Sequence, residues 1–164
     1  MVSTNSKATN TCQVLETLAL LDLSDIERLR LTGGDLMLKS GGPTIHRVLY
    51  PMKHLRTLTI SRCKNLSRFI SSLDNIKMCP MLEELVLDAC TDGETLDIRR
   101  MMRMAATRAS MSVKLKSVRI ICRDTSLQAS LSQLEKYIPH VEFCLGVAPV
   151  SDDIDNSDEE DRGE

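Results

Sequence analysis

The chain has 164 residues, 42% of them apolar, and 21 basic against 23 acidic side chains, which is one domain's length with material for a core and a formal net charge of −2. Only four residues are aromatic, Tyr50, Phe69, Tyr137 and Phe143, which counts against nucleic-acid stacking platforms and aromatic-lined enzyme pockets. No apolar stretch reaches the roughly 18 uncharged residues that span a bilayer, and the opening MVSTNSKATNT lacks a secretory signal's apolar run, so no membrane partner and a cytoplasmic or nuclear location are expected.

Residues 1–10 are polar and expected to be disordered. From Thr11, TCQVLETLALLDLSD places Val14, Leu15, Leu18 and Leu21 on a helical stripe. Leu15, Leu18 and Leu20 would also fit a strand, but the 11 residues to Ile26 are too few for a full repeat, so the helix is preferred as a shield for the first strand. That strand carries Ile26, Leu29 and Leu31, and the glycine-rich TGGDLMLKSGGP after it reads as a loop. A short helix near Thr44 to Tyr50 must end before Pro51.

Next comes LRTLTISRCKNL, with Leu55, Leu58, Ile60 and Cys63 at leucine-rich-repeat spacing, and a helix over Leu66 to Ile76 with Phe69, Ile70 and Leu73 on one face. Pro80 marks the return to LEELVLDAC, where Leu82, Leu85, Leu87 and Cys90 repeat the template. The longest helix is expected from about Glu94 to Ser110, with Ile98, Met101, Met102, Ala105 and Ala109 inward. LKSVRI follows with Leu115, Val118 and Ile120, then a helix at about Leu127 to Tyr137 and a last strand with Ile138, Val141 and Phe143. The unit starts at 26, 55, 82, 115 and 138 are irregularly spaced, so the intervening helices should differ in length.

Residues 151–164 hold eight acidic residues against Arg162 alone, a composition that cannot bury enough surface to order itself. Residues 1–150 keep 20 basic and 15 acidic side chains, so a basic body carries an acidic tail. The organisation read from sequence is therefore a disordered 1–10, a leucine-rich-repeat domain over 11–148 and an acidic disordered tail over 149–164. The fold class is α/β: a short solenoid of about five parallel strands on a concave face with helices on the convex face.

Side chains alternate along a strand, so the residues between the template positions form the concave face. They are Arg28 and Arg30; Thr57, Thr59 and Ser61; Glu84, Val86 and Asp88; Ser117, Arg119 and Ile121; and His140, Glu142 and Cys144. A mixed polar face with separated charges suits a protein partner better than a polyanion. The carboxylate pair Glu84 and Asp88 has no nucleophile, glycine loop or metal cluster beside it in sequence, so no enzyme activity is expected. The cysteines at 12, 63, 79, 90, 122 and 144 form no CxxC pair, and His46, His54 and His140 sit in no catalytic or zinc spacing, so no metal and no cofactor are expected. Cys63 and Cys90 read instead as small buried residues at the strand's exit turn.

Two further features stand outside that scheme. Residues 99–123 contain eight basic side chains (Arg99, Arg100, Arg103, Arg108, Lys114, Lys116, Arg119, Arg123) and no acidic one, and the alternative reading is a basic nucleic-acid-associated protein using this run. Ser157, followed by Asp158, Glu159 and Glu160, fits an acidophilic kinase site of the casein kinase type.

The order LRTLTISRCKNLSRFISSL, CPMLEELVLD, a methionine- and alanine-rich charged helix before KLKSVRI, and LEKYIPHVEF resembles the leucine-rich C-terminal half of F-box proteins from mushroom-forming fungi, over roughly residues 12–145. The resemblance implies a repeat that holds substrate, with Thr57, Thr59, Glu84, Asp88 and Arg119 contacting it, and a ubiquitin-ligase adaptor role in which an F-box recruits the ligase components. No F-box, a module of about 40 residues, is evident ahead of the first repeat.

Overall fold

The computed structural model describes residues 21–36, 45–89 and 96–146. Five strands, β1 (Arg28–Thr32), β2 (Thr57–Ser61), β3 (Glu84–Asp88), β4 (Ser117–Cys122) and β5 (His140–Leu145), form one all-parallel sheet in chain order. Between them lie α1 (Ile45–Leu49), α2 (Leu66–Ser72), α3 (Ile98–Ser110) and α4 (Gln128–Leu134), the last entered through a 3-10 turn at Thr125–Leu127. The fold is thus α/β with each described helix linking two neighbouring parallel strands. The expected helix after Thr11 and the acidic tail with Ser157 lie outside the described residues, apart from the helix's last positions, where Leu23 is buried.

The register turns the sequence pattern into rungs. Leu29, Leu58, Leu85, Val118 and Val141 align across the five strands, and so do Leu31, Ile60, Leu87, Ile120 and Phe143. Both rungs face the helices and join Phe69, Ile70, Leu73, Met101 and Leu134 in one core. Leu55, Leu82, Leu115 and Ile138, two residues ahead of their strands, are buried as well, so each unit delivers three apolar side chains at fixed places. Each fully buried Leu or Ile of this kind contributes about 1.5–3 kcal/mol of transfer free energy.

Backbone hydrogen bonds set how the chain enters each strand. The carbonyl of Glu27 accepts from Arg56 and Thr57 (2.8 and 3.0 Å), that of Arg56 from Glu83 and Glu84 (2.8 and 2.9 Å), and that of Glu83 from Lys116 and Ser117 (2.7 and 3.1 Å). At the exit of β2, Arg62 (φ 54°) and Asn65 (φ 60°) take the left-handed conformation. The turn between them tucks Cys63 inward, where its thiol donates to the carbonyls of Gly33 (3.3 Å) and Ser61 (3.4 Å). Asn65 Nδ2 donates to Asp35 Oδ1 at 2.7 Å and ties this turn to the one before it.

The helices depart from expectation in length and phase. The residues of α2 stop at Ser72 rather than Ile76, and α4 ends at Leu134 rather than Tyr137. Asp97 caps α3 by accepting from the backbone N–H groups of Arg99 (3.0 Å) and Arg100 (3.4 Å), so the helix starts at Ile98, later than Glu94. The buried stripe of α3 is Met101, Met104, Ala105 and Arg108, with Ile98 and Met102 half-buried at its border and Ala109 beside it. Arg108, expected on the surface, is fully buried. Its guanidinium donates to the carbonyls of Leu73 (3.4 Å), Met78 (3.3 Å) and Cys79 (2.7 Å), where α2 has ended and Cys79 bends the chain at φ 47°. Among the described residues the carbonyls of Leu73 and Met78 have no backbone partner, whereas that of Cys79 also accepts from the N–H of Leu82 at 3.0 Å; the first two would be costly to bury unpaired, so an internal cation substitutes for solvent there. Burial pulls the Arg108 pKa below its ordinary value, and arginine is the side chain that keeps its charge despite this.

Candidate functional site

The face of the sheet away from the helices is built from the residues between the core positions. It has three rungs: Arg28, Thr57, Glu84, Ser117 and His140; then Arg30, Thr59, Val86, Arg119 and Glu142; then Thr32, Ser61, Asp88, Ile121 and Cys144. Every residue singled out for this face from sequence therefore lies on it. Arg28, Arg30, Glu84, Arg119, His140 and Glu142 are exposed, and Thr57, Thr59, Val86, Asp88 and Ser117 are partly so. Ser61 departs from the expectation at 6% exposure, a small side chain between Thr32 and Asp88 on its rung. A parallel sheet is ordinarily covered on both sides, so a face this polar and this open is unusual for the architecture.

The charges on the face are unevenly engaged. On β1, Arg28 and Arg30 line a cavity of about 730 Å³ shared with Asp25, Glu27, Thr57 and Thr59. In the centre Thr57 Oγ1 donates to Glu84 Oε2 at 3.2 Å across the β2–β3 boundary. At the other side Arg119 Nε pairs with Glu142 Oε2 at 2.7 Å, which raises the pKa of the arginine and lowers that of the carboxylate. Glu142 also accepts from the Cys144 thiol through Oε1 at 3.4 Å, and this hydrogen bond with the adjacent negative charge pushes the thiol pKa up. A partner approaching β4 and β5 meets a closed ion pair, whereas one approaching β1 meets two arginines.

The basic run over residues 99–123 does not form one patch. Arg100 Nε faces Asp97 at 3.1 Å while its Nη1 donates to Ser71 at 2.8 Å, and Arg103 Nε faces Asp74 at 2.6 Å. These contacts, with the N–H of Asp97 donating to Ser67 Oγ at 2.9 Å, dock α3 onto α2. Burial opposes the Asp97 charge, but the N–H and guanidinium of Arg100 and the N–H of Arg99 outweigh it and hold the carboxyl below its usual pKa. Lys116 Nζ pairs with Glu83 at 2.8 Å on one side while Arg56 pairs with it at 3.0 Å on the other, and the lysine contact is the larger cause of the lowered Glu83 pKa. With Arg119 paired to Glu142 and Arg108 in the core, most of the run holds the protein's own parts together. Sequence reading missed this because the partners lie 23 to 35 residues away, except for the local Asp97 pair.

Among the described residues no group of three or more His, Cys, Asp or Glu side chains could hold a metal ion, and no helix is long and apolar enough to cross a membrane. Cys63 and Cys79 are both buried, and desolvation pushes each thiol pKa up to about 12. No family model, no curated protein and no solved structure matches this chain.

Proposed function

We propose that the chain is a short leucine-rich-repeat solenoid that binds a protein partner, without catalysis, through its open and concave sheet face. The observation that carries this reading is a side of an all-parallel sheet that no described helix covers, ordered into three polar rungs with arginines that hold no ion pair among the described residues at one edge and carboxylates at the centre. A protein surface supplies the alternating charges such a face requires, and rim and centre charges of this kind set register and encounter rate. The resemblance to mushroom F-box proteins supports placing the chain in a ubiquitin-ligase context, where the face would hold substrate. The nucleic-acid reading loses support because the cations it needs are largely occupied by neighbouring carboxylates or buried.

The test is affinity purification with mass spectrometry from a fungal extract, comparing wild type with a Glu84→Lys, Asp88→Lys, Arg119→Glu variant that circular dichroism shows to be folded. Partners retained by wild type and lost from the variant are expected, and ligase components among them would support the adaptor role. Identical partner sets would reject the open face as the binding site.

A further inference from the structure

Because all five strands run the same way, every helix-to-strand turn gathers at the end of the sheet where the strands begin. Each of the four turns that lead into β2, β3, β4 and β5 leaves one large apolar side chain in solvent: Tyr50 (52% exposed), Met81 (40%), Met111 (57%) and Tyr137 (38%). The strands that these turns lead into are neighbours in the sheet, so the four side chains are spread over the same end of the molecule, one to each turn. Five lysines share these turns: Lys53, Lys77, Lys114, Lys116 and Lys136, all exposed. Of the six lysines among the described residues, only Lys64 lies elsewhere, at the exit of β2. On the same end the acidic residues of these turns are few, and Glu83 is already flanked by Arg56 and Lys116. The entry to β1 also exposes an apolar side chain, Leu21 (53%), but there it stands beside Asp22, Asp25 and Glu27 and no lysine among the described residues.

We infer that this end of the sheet is a peripheral docking surface for anionic lipid headgroups. The four apolar side chains are 38–57% exposed, and exposed apolar groups enter the soft headgroup layer without needing a matched hole, as a folded protein partner would have to provide. Tyrosine and methionine beside lysine is also the chemistry of the bilayer interface: the apolar body sinks to the acyl boundary while the long amine stem keeps its charge among the phosphates. The structure already shows that pairing in miniature, with Lys53 Nζ 4.0 Å from the centre of the Tyr50 ring and donating to the Lys77 carbonyl at 3.1 Å, which joins two neighbouring turns. The surface is distinct from the open face, which lies at right angles to it, so one molecule could occupy both at once. The expected absence of a membrane partner rested on spanning segments, which say nothing about a surface of this type.

The experiment is co-sedimentation of the full chain with vesicles of phosphatidylcholine alone and of phosphatidylcholine containing about a third phosphatidylserine. Binding to the anionic vesicles only, falling as salt shortens the screening length from about 10 Å at 0.1 M towards 3 Å at 1 M, is expected. Replacing three lysines that hold no ion pair among the described residues, Lys77→Glu, Lys114→Glu and Lys136→Glu, should weaken it on the order of a hundredfold or more. Tyr50→Ser with Met111→Ser should weaken it less but leave the salt dependence in place, and the Glu84→Lys, Asp88→Lys, Arg119→Glu variant should bind vesicles at least as well as wild type. No binding to anionic vesicles at low salt, equal binding to both vesicle types, or wild-type binding by the folded lysine variant would each overturn the inference. Complete displacement by polyglutamate at equal charge, with no contribution from Tyr50 and Met111, would reassign the surface to an acidic polypeptide.

Discussion

Val118 and Val141 are the same residue on the same rung of adjacent strands, yet Val118 is 1% exposed and Val141 is only half-buried. The same holds one rung on, where Ile60, Leu87 and Ile120 are fully buried and Phe143 is not. A template position therefore decides which way a side chain points, whereas the cover around it decides how far it is buried: on the other edge strand, β1, Leu29 (5%) and Leu31 (7%) are buried in the same core as Leu23. The middle of the sheet, with β3 between two strands and α2 and α3 packed on each other, is a finished interior; among the described residues β5 has a strand on one side only.

The largest effect that would sharpen this contrast lies at Arg108, in the finished part. Arg108→Ala takes a donor from three carbonyls, two of which, those of Leu73 and Met78, have no backbone donor among the described residues, and leaves a cavity, so a loss on the order of 4 kcal/mol is expected in urea unfolding. Arg108→Met refills the volume without the hydrogen bonds and should fall in between. If Arg108→Met were as stable as wild type, the carbonyls would have found other partners and the cation would be incidental to the core.

A matched pair tests the contrast directly. Val118→Ala should cost about 2–3 kcal/mol, because its surroundings cannot collapse into the space, while Val141→Ala should cost less than about 1 kcal/mol. Equal costs would mean that β5 is covered in solution and that the half-burial of Val141 and Phe143 does not describe the working state.

The sequence made the rungs legible because alternation with a period of two and the repeated Leu-x-x-Leu-x-Leu spacing leave one consistent register for Leu55 to Ile60 and Leu82 to Leu87. All the open-face residues except Thr32 followed from it, since facing is a local property of a strand. The phase of α3 did not follow. Choosing Ala109 over Arg108 as the inward residue assumes that a cation stays out of the core, and only the geometry at Cys79, 29 residues away, shows carbonyls that need one. The Arg119–Glu142 pair was hidden for a related reason: the register puts both on one rung, but which neighbours bond is decided by side-chain reach and competing partners.

The smallest effects concern the thiols, which divide along the same line. Cys63 and Cys79 belong to the interior, and Cys144 sits half-exposed on β5. Alkylation of the folded chain at pH 8, read by peptide mass spectrometry, should modify Cys144 before Cys63 and Cys79, although the Glu142 carboxylate beside it slows the reaction relative to a free thiol. The interior thiols have a second signature. Their native pKa values are about 12 against an ordinary 9.0, so below pH 9 both states hold the proton and the stabilisation is fully present. As pH rises from 9 towards 12 the unfolded chain releases protons that the native chain retains, and stability falls by about 1.4 kcal/mol per pH unit for each thiol. The readout is a difference: a Cys63→Ala, Cys79→Ala variant should lose stability less steeply with pH than wild type, while Cys144→Ala, which removes one thiol raised chiefly by its exposed contact with Glu142, should change the slope less. Parallel slopes for wild type and the double variant would mean that water reaches these thiols in the native state and that the middle of the sheet is no better sealed than its edge.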